Sequence, residues 1–491
     1  MFCLRLTPGC RVARVANRLN DTGYGALQMN DAIEHRPHGA SASSAEPSLH
    51  RVMGPWLLLL FIVGDILGTG IYALTGKVAN LVGGAVWLPF LMAFGVALLT
   101  ALSYLELVTK YPRAAGAALY THRAFGIHFL TFIVAFAVMS SGITSAATAS
   151  RAFAANLSDA FGLGFSDSAG ITIIGLSFMA VIAAVNYRGV GESVKLNVLL
   201  TVVELTGLLI IITIGFWAIG SGQGDVSRIF EFKTEEGTGG AIWAAIAATT
   251  LAFFAMVGFE DSVNMAEETK DPARTFPKIL LLGLAITGVI YVLVSVSAIT
   301  LVSPEDLGEG ETPLLKVVAA GAPGFPLEVF GFITMFAVAN TALINMLMAS
   351  RLVYGMSREH VLPPVFGRVH SGRRTPYVAI AFTTLLAFAL IMFVGEIPAL
   401  GGTTALLLIC VFAVVNIAVL VLRRNMVAHA HFRTPTAVPV LGAITCLFLA
   451  GPWTGRDPVQ YSVAGALLAV GVVLWLVAQA VERFSRHRKS A

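Results

Sequence analysis

From Trp56 onward the chain repeats one pattern, a run of about twenty apolar residues followed by a short polar break. A helix needs roughly 20 residues to cross the hydrocarbon of a bilayer, so each run is long enough. The runs are continuous rather than alternating, which excludes a membrane barrel. Twelve spans are predicted, over residues 56–77, 87–109, 129–152, 170–187, 196–219, 241–266, 278–301, 327–350, 376–394, 402–422, 437–452 and 461–481. Residues 1–50 are polar, rich in Arg, Ser and Ala, and lack the apolar stretch of a signal peptide. They read as a disordered cytoplasmic tail, with Met29 and Met53 as further candidate starts. Residues 483–491 read as a second, basic tail.

Composition agrees with this pattern. Of 491 residues 56% are hydrophobic and only 12% charged, about half the roughly 25% charge of soluble domains. So few polar groups exclude a cytosolic enzyme, a nucleic-acid-binding module and a disordered scaffold; the lipid bilayer is the expected surround. The four cysteines, Cys3, Cys10, Cys410 and Cys446, show no ligand spacing. No metal, cofactor or disulfide framework is therefore expected, and no histidine falls mid-span to relay protons. Lys and Arg set the orientation. With the N-terminus inside, 26 of the 32 fall on the cytoplasmic side, so both termini are expected in the cytoplasm of a plasma-membrane protein.

No Lys or Arg lies deep inside a predicted span, but five acids do: Asp65, Glu106, Glu204, Glu260 and Asp261. An ionised Asp at a helix centre costs about 2.5–3.5 kcal/mol on the insertion scale. Such an acid is either a neutral, hydrogen-bonded packing group or one that takes up and releases a proton. Depth separates the five. Glu106 stands four residues from Lys110, about 6 Å along a helix, and reads as structural. Asp65 is nine residues from Trp56 and Glu204 nine from Lys195, about 13 Å in each case, near the midplane. These two are the stronger functional candidates. Glu260 and Asp261 belong to the cytoplasmic half of the sixth span.

The first span contains Gly64-Asp65-Ile66-Leu67-Gly68-Thr69-Gly70-Ile71, in which each glycine weakens a helix by about 1 kcal/mol relative to Ala. A glycine pair also serves close helix packing, so this signal alone is weak. The sixth span supplies the counterpart, Phe253-Phe254-Ala255-Met256-Val257-Gly258-Phe259-Glu260. Spans one and six take matching positions in halves of opposite orientation, and interrupted helices in such positions point to a transporter's central site. Freed N–H groups at a helix start suit a carboxylate, and freed carbonyls suit an ammonium.

At these residues the chain resembles the amino acid–polyamine–organocation permeases. Gly68-Thr69-Gly70-Ile71 matches that family's first-helix break, and Tyr104-Leu105-Glu106-Leu107 with Tyr111-Pro112 and Gly116 its second-helix end. Phe253 to Glu260, then Ala266-Glu267-Glu268 and Asp271-Pro272, matches its sixth-helix signature. Ser350-Arg351-Leu352, Ser357-Arg358-Glu359, Leu362-Pro363 and Arg374-Thr375-Pro376 follow in the family's order, so the similarity covers roughly residues 52–480. The resemblance implies an all-α, twelve-helix fold of the LeuT type, with inverted five-helix repeats at about 56–220 and 241–422 and two further helices at about 437–481, together a permease domain of 51–482. It implies that the amides of Thr69, Gly70 and Ile71 hold a substrate carboxylate. The carbonyls of Ile66, Phe254, Ala255 and Val257 would hold its ammonium, with Phe254 and Phe259 near the pocket or its gates and Glu260 beside them.

Two positions depart from the family pattern. Proton-coupled relatives often carry a lysine where this chain has Val203-Glu204-Leu205, so the sign of the charge is reversed. A neutral Glu204 would serve as proton carrier, and an ionised one would attract sodium. Asp65 replaces a small or neutral residue and would favour a cationic side chain or titrate against helix eight. The expected function is a secondary active amino acid transporter, not an enzyme, moving its substrate with protons and with cationic amino acids among the candidates. Amino acid/polyamine exchange, or sodium-coupled carriage of another small solute, are the alternatives. A major-facilitator carrier would commonly show a long central loop, whereas residues 267–277 are short, and no cluster of His, Asp or Lys marks a membrane enzyme.

Overall fold

The computed structural model describes residues 54–112, 116–164, 168–188, 193–233, 240–358 and 362–490; the expected tail over 1–50 lies outside them. The first apolar run is two helices, α1 Pro55–Ile66 and α2 Thr69–Val82, parted at Leu67-Gly68. Next come α3 Trp87–Lys110, the short α4 Gly116–Phe125, α5 His128–Ala160, α6 Ser168–Arg188 and α7 Ser193–Gly220. The sixth run starts as α8 Ala241–Ala252 and then loses α-helical form. It continues as 3₁₀ turns over Phe253–Met256 and Asp261–Glu268 with an extended Val257 between them. Then follow α9 Pro272–Leu301, α10 Pro304–Gly308, α11 Pro313–Gly321 and α12 Leu327–Arg358. The chain closes with α13 Tyr377–Phe393, α14 Ile397–Leu422, α15 Ala437–Ala450 and α16 Pro458–Ser490.

Among the described residues, ten helical segments are long and apolar enough to cross a membrane. The ninth and eleventh predicted spans coincide with shorter apolar helices, α13 of 17 residues and α15 of 14. Among the described residues there is no strand, only an isolated bridge between Gly83 and Phe232. The protein is a polytopic, all-helical membrane protein. Large apolar side chains such as Ile173, Leu199, Trp217, Leu385, Phe393 and Val473 stand exposed on α6, α7, α13 and α16. In water such patches would drive association; here they face hydrocarbon. The centre is built on α5 and α12, the most extensively packed pair, with α14 and α1 against them. Small residues make that approach possible, since Ala146, Ala147 and Ala149 of α5 are all fully buried.

One end of the bundle is fastened by charge. Arg423, just beyond α14, donates from Nε to Glu106 Oε1 at 2.8 Å and from Nη2 to Oε2 at 2.7 Å. Thr434 adds its amide and hydroxyl to the same Oε2, each at 2.9 Å. Lys110 Nζ caps the end of α14 at the Leu422 carbonyl, 2.7 Å away. Glu106 is thus structural, as its nearness to Lys110 predicts. The opposite end holds a cation without a carboxylate: Arg456, 5% exposed, donates to the Leu449 and Gly402 carbonyls and to Gln460 Oε1. Burial lowers its guanidinium to about 10, which leaves it charged at neutral pH. Arg151 corrects the sequence-based placement at a helix end. α5 runs nine residues beyond it, and its side chain is buried, donating from Nη1 to Thr172.

Arg423→Ala strands a buried carboxylate with only the Thr434 donors. The expected cost is about 3 kcal/mol, read as a lower thermal midpoint in detergent, and Arg423→Lys should recover only part because it offers no planar fork. An unchanged midpoint in the alanine variant would show that the contact contributes nothing.

Candidate functional site

Two interrupted helices meet in the middle of the bundle. Gly68 takes φ 143 and ψ −151, which stops α1 and lets α2 begin afresh at Thr69. In the sixth run Gly258 takes φ 125, and a Cβ there would stand 2.6 Å from the Asp65 carbonyl oxygen. Only glycine permits both the dihedral and the approach. The second point of contact is Gly70, whose added Cβ would lie 2.5 Å from Ala255 Cα, a main-chain atom that cannot step aside. The two breaks are therefore one seam, closed backbone to backbone.

Breaking a helix frees main-chain groups, and side chains from other helices take several of them. Tyr291 of α9 donates its hydroxyl to the Ile66 carbonyl at 2.6 Å. Asn340 of α12 reaches the Gly64 carbonyl at 3.4 Å, and Asn197 donates to Asn340 Oδ1 at 3.3 Å. The Thr69 amide donates to Thr341 Oγ1 at 3.3 Å, so a neighbouring helix supplies the cap that Gly68 lacks. Among the described residues the next two amides, of Gly70 and Ile71, are left as open donors. They sit where a helix start concentrates its positive end.

The seam encloses a cavity of ≈ 20 Å³, room for one water. Of the residues expected to bind substrate, Ile66, Thr69, Gly70, Phe254 and Val257 line it. Ile71 and Ala255 do not: Ile71 lies one step further along α2, and Ala255 backs Gly70. The Ile66 carbonyl already accepts from Tyr291, and the Phe254 carbonyl from the Val257 amide at 3.4 Å. Phe259 is not a wall of the cavity either. It is fully buried among Tyr104 and Phe412, with ring centroids 5.9 and 5.3 Å away. The approach along α2 is covered. α10 lies across α2, where the Leu307 carbonyl leaves no space for a side chain at Gly76 and Lys77 Nζ donates to the Gly308 carbonyl at 2.8 Å.

The remaining acids surround the seam in different ways. Asp65 lines the cavity, 9% exposed, and its Oδ2 is buried without a partner. Asp261 lines the same cavity and also a second one of ≈ 20 Å³ toward the Glu106 end, shared with Glu260, Tyr104, Asn264 and Leu352. Glu260 folds back so that Oε2 accepts from the Gly258 amide at 2.9 Å. Glu204 lies outside the cavity, behind the first break. Its carbonyl accepts from the Tyr72 hydroxyl at 2.8 Å, its side chain is fully buried, and neither carboxyl oxygen has a partner. Oε1 stands 3.7 Å from where a Cβ on Gly68 would be. A larger open hollow of ≈ 360 Å³ between Asn80, Lys233, Trp243 and Trp453 lies away from the seam and gathers no carboxylate.

The profile of the family described as amino acid permease matches residues 53–478. The chain belongs to the amino acid permease family. Among its relatives, a branched-chain amino acid permease of Bacillus subtilis is 25% identical over 427 residues, covering 83% of this chain and 89% of its own. A methylthioribose transporter of the same organism is 26% identical over 473 residues, covering 91% and 96%. Cationic amino acid transporter 4 of Mus musculus is 27% identical over 405 residues, covering 78% of this permease and 61% of its own length.

The permease also brings to the cavity Leu67 and Gly258 of the two breaks, and three residues that sequence reasoning left out: Ser145, Thr341 and Asn345. Thr341 and Asn345 are one helical turn apart in an apolar run, and the Asn345 amide donates to the Thr341 carbonyl at 2.9 Å. That i, i+4 polar pair was the available signal. Since the seam closes on Gly70, even a methyl there separates the breaks. Gly70→Ala should raise KM at least about tenfold, and Gly70→Leu should abolish substrate binding in protein that still inserts. Near-normal uptake by inserted Gly70→Leu would remove the seam as the binding site.

Proposed function

We propose that this permease is a secondary active transporter that takes up α-amino acids by alternating access around the seam, driven by protons carried on Glu204. The observation that carries the reading is the seam itself: two broken helices in contact, one of which opens a helix start onto an enclosed cavity. The amides of Thr69, Gly70 and Ile71 hold the substrate carboxylate. The carbonyls of Ile66, Phe254, Ala255 and Val257 hold its ammonium once Tyr291 yields the first of them or shares it. Phe254 walls the pocket, and Phe259 and Glu260 form the gate beside the second cavity. The architecture proposed with it is twelve crossings, inverted repeats over 56–220 and 241–422, and two added helices. Both termini lie in the cytoplasm, so the end fastened by Glu106 and Arg423 faces inward and the membrane is the plasma membrane. The charge distribution supports that orientation, and the names of the relatives, which include branched-chain and cationic amino acid carriers, support the substrate class.

Glu204 is the coupling group because it is the buried acid that touches the break without entering the cavity. A second reading, sodium coupling, is favoured by one observation. The unpartnered oxygens of Thr69, Asn197 and Glu204 are hard donors on the helices around the first break. One experiment separates the two. Moving one charge across 100 mV supplies about 2.3 kcal/mol, nearly fiftyfold in accumulation. In proteoliposomes Glu204→Gln, which keeps volume and hydrogen bonding, should retain substrate binding and exchange and lose accumulation driven by a pH gradient. Accumulation by the glutamine variant would make Glu204 structural, and loss of wild-type transport when choline replaces sodium would favour sodium.

A further inference from the structure

The cavity at the seam has two unlike sides, and one of them holds more carboxyl groups than an ordinary zwitterion needs. On one side is the start of α2, whose open amides suit a single carboxylate. Facing it, toward the Glu106 end, are two carboxyl groups from the two broken helices, Asp65 from the last turn of α1 and Asp261 from the first residue after the sixth-helix break. They are brought to one cavity because Gly258 packs on the Asp65 carbonyl and the Asp261 amide donates to the Gly258 carbonyl at 3.0 Å. Neither forms a salt bridge to a described residue. Asp261 Oδ1 has only a long contact from Asn264 Nδ2 at 3.5 Å. Asp65 Oδ2 is buried and no described residue donates to it, so its partner must come from outside the fold. The Val257 carbonyl, and the Ile66 carbonyl once Tyr291 shares it, answer an α-ammonium, so the two acids are in excess of it.

We propose that Asp65 and Asp261 form a cation-recognising subsite on the Glu106 side of the cavity, selecting amino acids whose side chain ends in an amine or guanidine. The inference rests on the seam being an amino acid site and adds the chemistry of the side chain. A substrate of this class places its α-carboxylate on the α2 amides, its α-ammonium on the broken-helix carbonyls, and its second cation between the two aspartates. A neutral side chain of the same length leaves both acids without that cation. Losing such a pairing is worth at least about thirtyfold in affinity.

The test uses wild-type protein in proteoliposomes and two matched ligand pairs, arginine against citrulline and lysine against norleucine, each competing with a labelled substrate. Arginine and lysine should compete at least about thirtyfold better than their neutral partners. Asp65→Asn and Asp261→Asn should each shrink that ratio below about threefold while the neutral ligands still bind, and Asp65→Glu should keep part of the preference. Equal competition within each pair by the wild type overturns the subsite and leaves the amino acid reading standing. An undiminished ratio in an asparagine variant that still transports overturns the assignment of that aspartate. Failure of every amino acid to compete overturns both readings. Because the ligand series is run on the wild type first, a variant that does not insert leaves the proposal exposed to refutation.

Discussion

In hydrocarbon a main-chain N–H or C=O without a partner costs several kcal/mol, and this chain breaks two helices where that cost applies in full. Irregular backbone at membrane depth survives only inside protein. The polar side chains of α9 and α12 are explained by that constraint. The Tyr291 hydroxyl, the Asn340 amide and the Thr341 hydroxyl each answer a group that the first break sets free, at Ile66, Gly64 and Thr69. These donors and acceptors sit on long, uninterrupted helices, so the irregular segment is held by regular ones. The first run is held chiefly by α7 and α9, and the sixth run by α2, α3 and α14.

The same shortage of water sorts the acids. Glu106 has a bidentate arginine and two further donors, and it fastens α3 to α14. Glu260 is held by the amide of Gly258, so its carboxyl helps to shape the turn that follows the break. Asp65 and Glu204 are left with oxygens that nothing in the fold satisfies. An apolar residue of similar size at either place would remove that cost without disturbing any hydrogen bond of their side chains. Stability therefore gives no reason for these two acids, in keeping with the roles proposed for them.

Ten of the predicted spans were legible because length and continuous hydropathy are all that a lipid-crossing helix requires, and the other two fall on the shorter apolar helices α13 and α15. The breaks were legible from Gly68, Gly70 and Gly258 beside midplane acids, and the role of Glu106 from its distance to Lys110. What could not be read was tertiary. Nothing local says that Tyr291, 225 residues away, caps Ile66, or that Thr341 caps α2. Ile71 and Ala255 were expected at the site because the family resemblance implies it. A helix start turns by about 100° per residue, however, and carries alternate positions off the cavity wall. The continuation past Gly258 as 3₁₀ turns was hidden for a related reason. Its composition reads as helix, and only its packing against α1, α3 and α4 shows the tighter winding.

Two breaks do more than one could. A single interrupted helix would offer donors or acceptors, but its two halves would be free to move without consequence for the rest of the bundle. Here Gly258 is locked on the Asp65 carbonyl and Gly70 on Ala255, so each half-helix of the first run bears on the backbone of the sixth. With no side chain between them, there is no soft layer to absorb a displacement, and packed interiors shift between discrete arrangements rather than deforming smoothly. A ligand at the proposed site would have to part main chains in both runs at once. Binding at the centre and movement at the two ends would then be the same event, which is the mechanical condition for exposing one site to the two sides of a membrane in turn.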